Sequence, residues 1–276
     1  MGPINYQPVR YLDTMYITAP GWGDSGSGHV GEAGANFDVK DWMSLYQGDQ
    51  QLDWGNAEYL QVPGLGAERL PYRLVLDNDR GTWANPYSTH TLTEWNFTSA
   101  ATDEATPLPL IQLDYGVDTD EAGRADRHAD LTVTASPMEG TTAAIGKVSL
   151  EVSYDDGATW QRPDLRHNGA GWRTALRAPR TVGFVSLRVT ARDSDDDTVS
   201  QTFTRAFGLR SRHLTQQPRR AGPQLAASPA KRRIALRTRA VQRNSPCPDP
   251  VRSHARYQPL NAAETTDFAS SCTCRR

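Results

Sequence analysis

Cysteine, lysine and long apolar runs are what this chain of 276 residues has least of. Its three cysteines, Cys247, Cys272 and Cys274, all lie near the C-terminal end. The first 210 residues therefore carry neither a disulfide framework nor a cysteine-ligated metal. No apolar run approaches the ~18 residues that a membrane-spanning helix needs, so no membrane partner is expected. Only Lys40, Lys147 and Lys231 are lysines among 30 basic residues, a bias that points to a GC-rich coding sequence rather than to a protein requirement. The opening MGPINYQPVR has no basic segment followed by an apolar core, so no secretion signal is expected in these residues. At a soft prior of ~150 residues per domain, the length leaves room for about two domains.

Charge divides the chain. Residues 1–210 hold 17 Lys and Arg against 29 Asp and Glu, a balance of −12, and residues 211–276 hold 13 against 3, a balance of +10; the formal net charge of −2 hides this split. The last 66 residues also contain 7 prolines, no tryptophan and only eight Leu, Ile, Val or Phe, too little apolar surface to fold alone. A disordered basic tail is expected over residues 211–276. Its cluster at residues 231–239, KRRIALRTR, suits an acidic surface or nucleic acid by charge, but no aromatic residues are interleaved for base stacking, so a solvated tail is favoured over nucleic-acid binding.

Period-two alternation dominates what remains, and no comparable stretch keeps a 3.6-residue apolar period, so the fold class is all-β. Val148, Leu150, Val152 and Tyr154 share one face, as do Val185, Leu187, Val189 and Ala191, then Leu131, Val133 and Ala135, and Tyr72, Leu74 and Leu76. Strands are expected at 109–117, 129–136, 146–155, 158–162, 171–178, 183–192 and 198–208, separated by turn residues. This spacing suits an immunoglobulin- or fibronectin type III-like sandwich over residues 105–210. Residues 1–104 read as a second β module, with a missing beginning kept open as the alternative, and hold Trp22, Trp42, Trp54, Trp83 and Trp95 and a strand pair at 71–77 and 90–98. The polar stretch 99–109 is the expected joint.

The most specific local pattern is SYDDGATW, residues 153–160, which fits the S-x-D-x-G-x-T-W Asp-box hairpin. Ser153, Asp155, Gly157, Thr159 and Trp160 are its expected structural residues: Asp155 accepts turn amides, Gly157 supplies a positive φ and Trp160 covers the hairpin. It is a folding element, not a reaction centre. Residues 21–34 contain GDSGSG, similar to the nucleophile loop of chymotrypsin-like peptidases, yet no histidine precedes Ser25, so a glycine-rich loop bearing His29 is favoured over a nucleophile. Asp193, Asp195, Asp196 and Asp197 could share a calcium ion, but the pattern lacks the glycine and distal glutamate of an EF-hand, and a solvated turn is favoured. His90, His128, His167, His213 and His254 show no zinc-binding spacing. No catalytic residue, cofactor or metal ligand is expected.

Three phrases, VSLEVSYDDGATWQ, GWRTALRAPR and GFVSLRVTARDSDDDTVSQTFTRAFGLR, together with the upstream YRLVLDNDRGTWANPYSTHTLTEWNFTS and LPLIQLDYGVDTD, resemble the C-terminal region of large secreted subtilisin-like serine peptidases of actinobacteria. The resemblance covers most of residues 45–210. It implies a non-catalytic accessory region, an extracellular location and a subtilisin-like protease domain as partner. The aspartate, H-G-T-H and G-T-S-M-A motifs that carry that family's triad do not occur here, so no catalytic residue transfers and the chain is not expected to be an enzyme. Where the family has a glycine in a phrase like DSAGN this chain has Asp196, which makes that turn less comfortable without removing it; the tail has no counterpart, which fits a truncated fragment lacking the protease domain. The rival expectation, from the tryptophan-rich first half, is a free-standing extracellular module that binds carbohydrate, cell wall or another surface, although core tryptophans are the commoner explanation.

Overall fold

The computed structural model describes residues 7–19, 22–23, 30–31, 39–56, 59–82, 85–169, 171–211 and 232–234, all within one compact unit, Met1–Arg243. Every regular element among them is a strand. In chain order these are β1 (Val9–Tyr11), β2 (Thr14–Ile17), β3 (Trp22–Gly23), β4 (Val30–Gly31), β5 (Lys40–Gln47), β6 (Gln50–Asn56), β7 (Leu60–Val62), β8 (Leu70–Asp79), β9 (His90–Ser99) and β10 (Thr106–Pro107). Then follow β11 (Ile111–Thr119), β12 (Arg124–Ala125), β13 (His128–Pro137), β14 (Ile145–Ser153), β15 (Arg166–Asn168), β16 (Gly171–Arg177), β17 (Phe184–Asp193), β18 (Thr198–Leu209) and β19 (Arg232–Ile234).

The expected strands lie within about two residues of observed ones, while β5 and β6, of eight and seven residues, go beyond the expected set. The stretch 158–162 is the exception: it contributes a single bridge, Gln161 opposite Val152, rather than a strand. Its residues are consumed by the tight turn that follows β14. The short strands β1, β2, β7 and β10 carry too few residues for a period to show, and they pair into a small sheet of order β10-β1-β2-β7.

The large sheet has two arms. Strands β6-β5-β8-β9-β18-β17-β14 run side by side in antiparallel pairs, and β15-β16-β13-β11 form a second antiparallel run linked to the first through the two residues of β12. Alternate side chains of both arms face a common apolar core. Leu45, Leu74, Trp95, Val199 and Ala191 lie in one cross-strand row of the first arm, and Leu113, Tyr115, Leu131 and Val133 come from the second. Polar groups that enter this core are paired across it. The Tyr115 hydroxyl donates to Gln201 Oε1 at 3.0 Å, Gln201 Nε2 donates to Thr93 Oγ1 at 2.8 Å, and the Trp95 indole N–H donates to the Ile111 carbonyl at 2.9 Å. Met15, Ile17, Leu60 and Val62 of the small sheet belong to the same cluster.

The expected joint near residue 104 is bridged by hydrogen bonds. Strand β18 pairs with β9 from Thr198 opposite Asn96 to Thr204 opposite His90, so the two expected modules share one sheet. A side-chain latch reinforces this seam. Tyr87, in the loop between β8 and β9, donates its hydroxyl to the Ala122 carbonyl and sets its ring edge-on to Phe184 at 6.1 Å. Gly123 and Gly208 line its slot: a Cβ on Gly123, which has φ +69°, would stand 2.7 Å from the Tyr87 ring, and one on Gly208 would stand 2.9 Å from the hydroxyl.

The tail expected to be disordered is described only at β19, where Arg232–Ile234 pairs antiparallel with β11; the rest of residues 212–276 lies outside the described residues. Gly123→Ala should therefore cost about 1–3 kcal/mol, by ring clash and by the forbidden φ together. In denaturant unfolding, adding Tyr87→Ala should remove the clash part, so that the two losses sum to more than the double variant shows; full additivity would disprove the latch.

Candidate functional site

The hairpin at residues 153–160 closes on its own polar groups. Ser153, buried at 1% exposure, donates its hydroxyl to Asp155 Oδ1 at 2.7 Å and accepts the Gly157 N–H at 2.9 Å. Asp155 Oδ1 also accepts the Thr159 N–H at 2.8 Å, and Asp155 Oδ2 accepts the Thr159 hydroxyl at 2.6 Å. These bonds, the Thr159 hydroxyl first, hold the Asp155 carboxyl down at about 2. Asp156 at φ 56° and Gly157 at φ 95° turn the chain, and Trp160 comes to lie against Gly157.

Trp160 is only partly buried, with the Arg188 guanidinium 4.1 Å from its ring centroid. One contact has no warning in the local pattern: Asp156 takes the Arg205 guanidinium through both carboxylate oxygens at 2.7 to 3.0 Å, tying the turn to a bulge in β18 where Arg205 itself has φ 58°. All five expected residues thus meet in one turn.

The acidic turn differs from the solvated one expected. Asp193 and Asp197 are 6% and 3% exposed. Asp193 Oδ1 accepts the N–H groups of Asp195 and Asp197, both at 3.0 Å, and Asp197 Oδ1 accepts the Thr98 N–H of β9 at 3.0 Å. Burial outweighs that last bond and lifts the Asp197 carboxyl to about 6. Among the described residues no three His, Cys, Asp or Glu side chains are grouped so as to hold a metal ion.

His90 pairs with Asp77 at 2.7 Å and the His167 ring stands edge-on to Trp172 at 5.1 Å. Ser25, His29, Trp83, His213, His254 and the cysteines lie outside the described residues, as does the side chain of Trp22. A cavity of about 380 Å³ between residues 180–183 and Leu209 is lined by Arg127 and Arg180, but Arg127 spends its guanidinium on the carbonyls of Pro179 and Val182.

A wide surface among the described residues is the outward face of the seven-strand arm. At ~4.8 Å per strand it spans about 29 Å. One row across it reads Trp42, Asp77, Leu92, Thr202, Arg188 and Glu151, and the next reads Trp54, Ser44, Val75, Glu94, Ser200, Thr190 and Ser149. Charges on this face are paired at short range, Arg73 with Glu94 and Arg188 with Glu151, and the His90 ring hydrogen-bonds Asp77. The aromatic residues are not covered. Trp42 and Trp54 are 44% and 58% exposed, with ring centroids 5.1 Å apart and planes tilted by 46°. The core reading of the tryptophans holds for Trp95 and fails for these two, because their strand positions have the outward parity.

The chain matches no protein-family model, no curated protein and no solved structure. Among the described residues no helix is long and apolar enough to cross a membrane.

Two outcomes follow from the turns. Trp160→Ala should cost about 2 kcal/mol in denaturant unfolding, below the ~3–5 kcal/mol of a fully buried aromatic residue, because the ring is only partly buried. Asp197 binds its proton more tightly folded than unfolded, so its contribution to stability is complete below pH 4 and is lost as pH rises through 6. Relative to Asp197→Asn, the parent should lose on the order of 1–3 kcal/mol between pH 4 and pH 6.5. A pH-independent difference would contradict the burial argument. Asp155 has the opposite sign: its contribution is present above pH 4 and lost as pH falls towards 2.

Proposed function

We infer that the chain is a non-catalytic accessory region of the kind that ends secreted subtilisin-like serine peptidases, acting outside the cell to hold or space a protease domain against an extended surface. The phrases in residues 45–210 support the family kinship. The order of strands in the C-terminal half supports its finer architecture: β11, β13 and β16 lie in one arm and β14, β17 and β18 in the other, the arrangement of an immunoglobulin- or fibronectin type III-like sandwich.

The observation that carries a binding role is the exposed Trp42 and Trp54 pair on the wide outward face. Indole rings left half in water on a flat sheet are costly to keep unless something covers them, and a ring face with polar neighbours suits the C–H faces of sugars. Cell-wall polysaccharide is thus the surface that the face fits best. The same pair favours the second reading, a free-standing carbohydrate-binding module, which differs only in whether a protease domain is attached.

Insoluble glycans of cell-wall and storage type should retain the purified chain on at least one matrix. Trp54→Ala and Trp42→Ala should each cut retention by about tenfold while leaving the unfolding midpoint nearly unchanged, since exposed side chains contribute little to the core. Retention on no matrix, or retention indifferent to both changes, would remove the basis for a glycan surface.

A further inference from the structure

The loop between β16 and β17 spends its acceptors inside the protein and leaves donors over. The carbonyls of Pro179 and Val182 accept from the Arg127 guanidinium, the second at 3.0 Å, and the Gly183 carbonyl accepts the Leu209 N–H at 2.8 Å. Among the described residues the N–H groups of Arg180 and Gly183 meet no acceptor. The exposed Arg180 side chain makes no hydrogen bond or ion pair with them either.

Arg127 is likewise without a counter-charge. Two carbonyl dipoles orient its guanidinium but do not cancel its charge, and no carboxylate among the described residues pairs with it. The acid beside it in the chain, Asp126, takes Arg210 at 2.8 Å. Both arginines line the cavity of about 380 Å³, where the hydroxyls of Thr181 and Ser211 add polar groups, Val182 and Leu209 add apolar surface, and no carboxylate is present.

We propose that this cavity is an anion-binding site that takes the phosphate or carboxylate group of one sugar-sized ligand on Arg180 and Arg127. The lining selects the sign of the ligand. Two cations without counter-ions in one cavity repel each other, and an oxyanion relieves that repulsion where a cation or a neutral sugar does not. They are gathered here against the trend of the body, since residues 1–210 carry −12. A guanidinium meets a carboxylate or phosphate through two parallel N–H bonds; Arg180 is free to turn towards such a group, while Arg127 stays fixed by its carbonyls. The volume lies at the small end of the ~300–1,000 Å³ of ligand cavities, which suits a single sugar phosphate or uronate. The site stands apart from the indole pair, which belongs to β5 and β6, so each can be tested without the other.

Calorimetric titration of the full chain with glucose 6-phosphate and with glucuronate, at constant ionic strength, tests the assignment. Each anion should saturate a single site in the millimolar range or tighter and bind at least tenfold more tightly than glucose. Arg180→Gln should weaken both anions by about tenfold and leave the unfolding midpoint unchanged. Arg180→Lys, which keeps the charge but not the paired N–H groups, should weaken them less. Arg177→Gln removes a nearby exposed charge that does not line the cavity, and it should leave both affinities within about twofold. A soluble polyuronate, titrated into the Trp54→Ala chain so that the indole pair contributes little, identifies the source of the anion. An affinity per sugar equal to that of glucuronate marks a free small molecule, and a gain of tenfold or more marks a segment of polymer. Absence of saturable binding by either small anion would overturn the proposal. Equal losses from Arg177→Gln and Arg180→Gln would do so as well, because the attraction would then be general rather than local.

Discussion

The antiparallel pairing of β18 with β9 is the constraint on which the rest of the molecule depends. It joins stretches of chain about a hundred residues apart, and every row of the wide face runs through it. The Gln201 amide sits at its centre, taking the Tyr115 hydroxyl from the facing arm and giving a hydrogen bond to Thr93 on β9. A buried amide satisfied from both sides fixes register more sharply than apolar contacts do, because any slip leaves polar groups unpaired in the core. Tyr87 between Gly123 and Gly208 secures one end of the same seam, and Asp197 accepting the Thr98 N–H secures the other.

Building one sheet from two halves creates a surface that neither half would have alone. Seven strands in register give a broad outward face on which charges neutralise one another locally, while two indole rings remain exposed near its β6 edge. The proposed attachment to an extended surface rests on this face. The cavity beside residues 180–183 is lined by arginines of which one is committed to loop carbonyls.

The strands with clean alternation were legible from the residues alone. Val185, Leu187, Val189 and Ala191 are all buried, as are Leu131, Val133 and Ala135, because an antiparallel strand with one wet face must write its burial into a period of two. The turn at residues 153–160 was legible for a related reason: its hydrogen bonds are made within a few residues, so their donors and acceptors appear as a local pattern. Strands β1, β2, β7 and β10 were not legible, being too short to establish a period, and Arg205 gripping Asp156 was not, since the two lie 49 positions apart.

By itself the sequence determined the strand class, the alternating core faces, the polar closure of the 153–160 turn and the opposite charges of body and tail, all properties set by neighbours along the chain. Only the tertiary structure decided that residues on either side of position 104 share a sheet, that Asp193 and Asp197 are buried rather than solvated, and that Trp42 and Trp54 face water while Trp95 does not. Each of those depends on which strand lies beside or across from another. Strand partnership is a long-range choice, made by register and burial summed over the whole sheet, and no local window contains it.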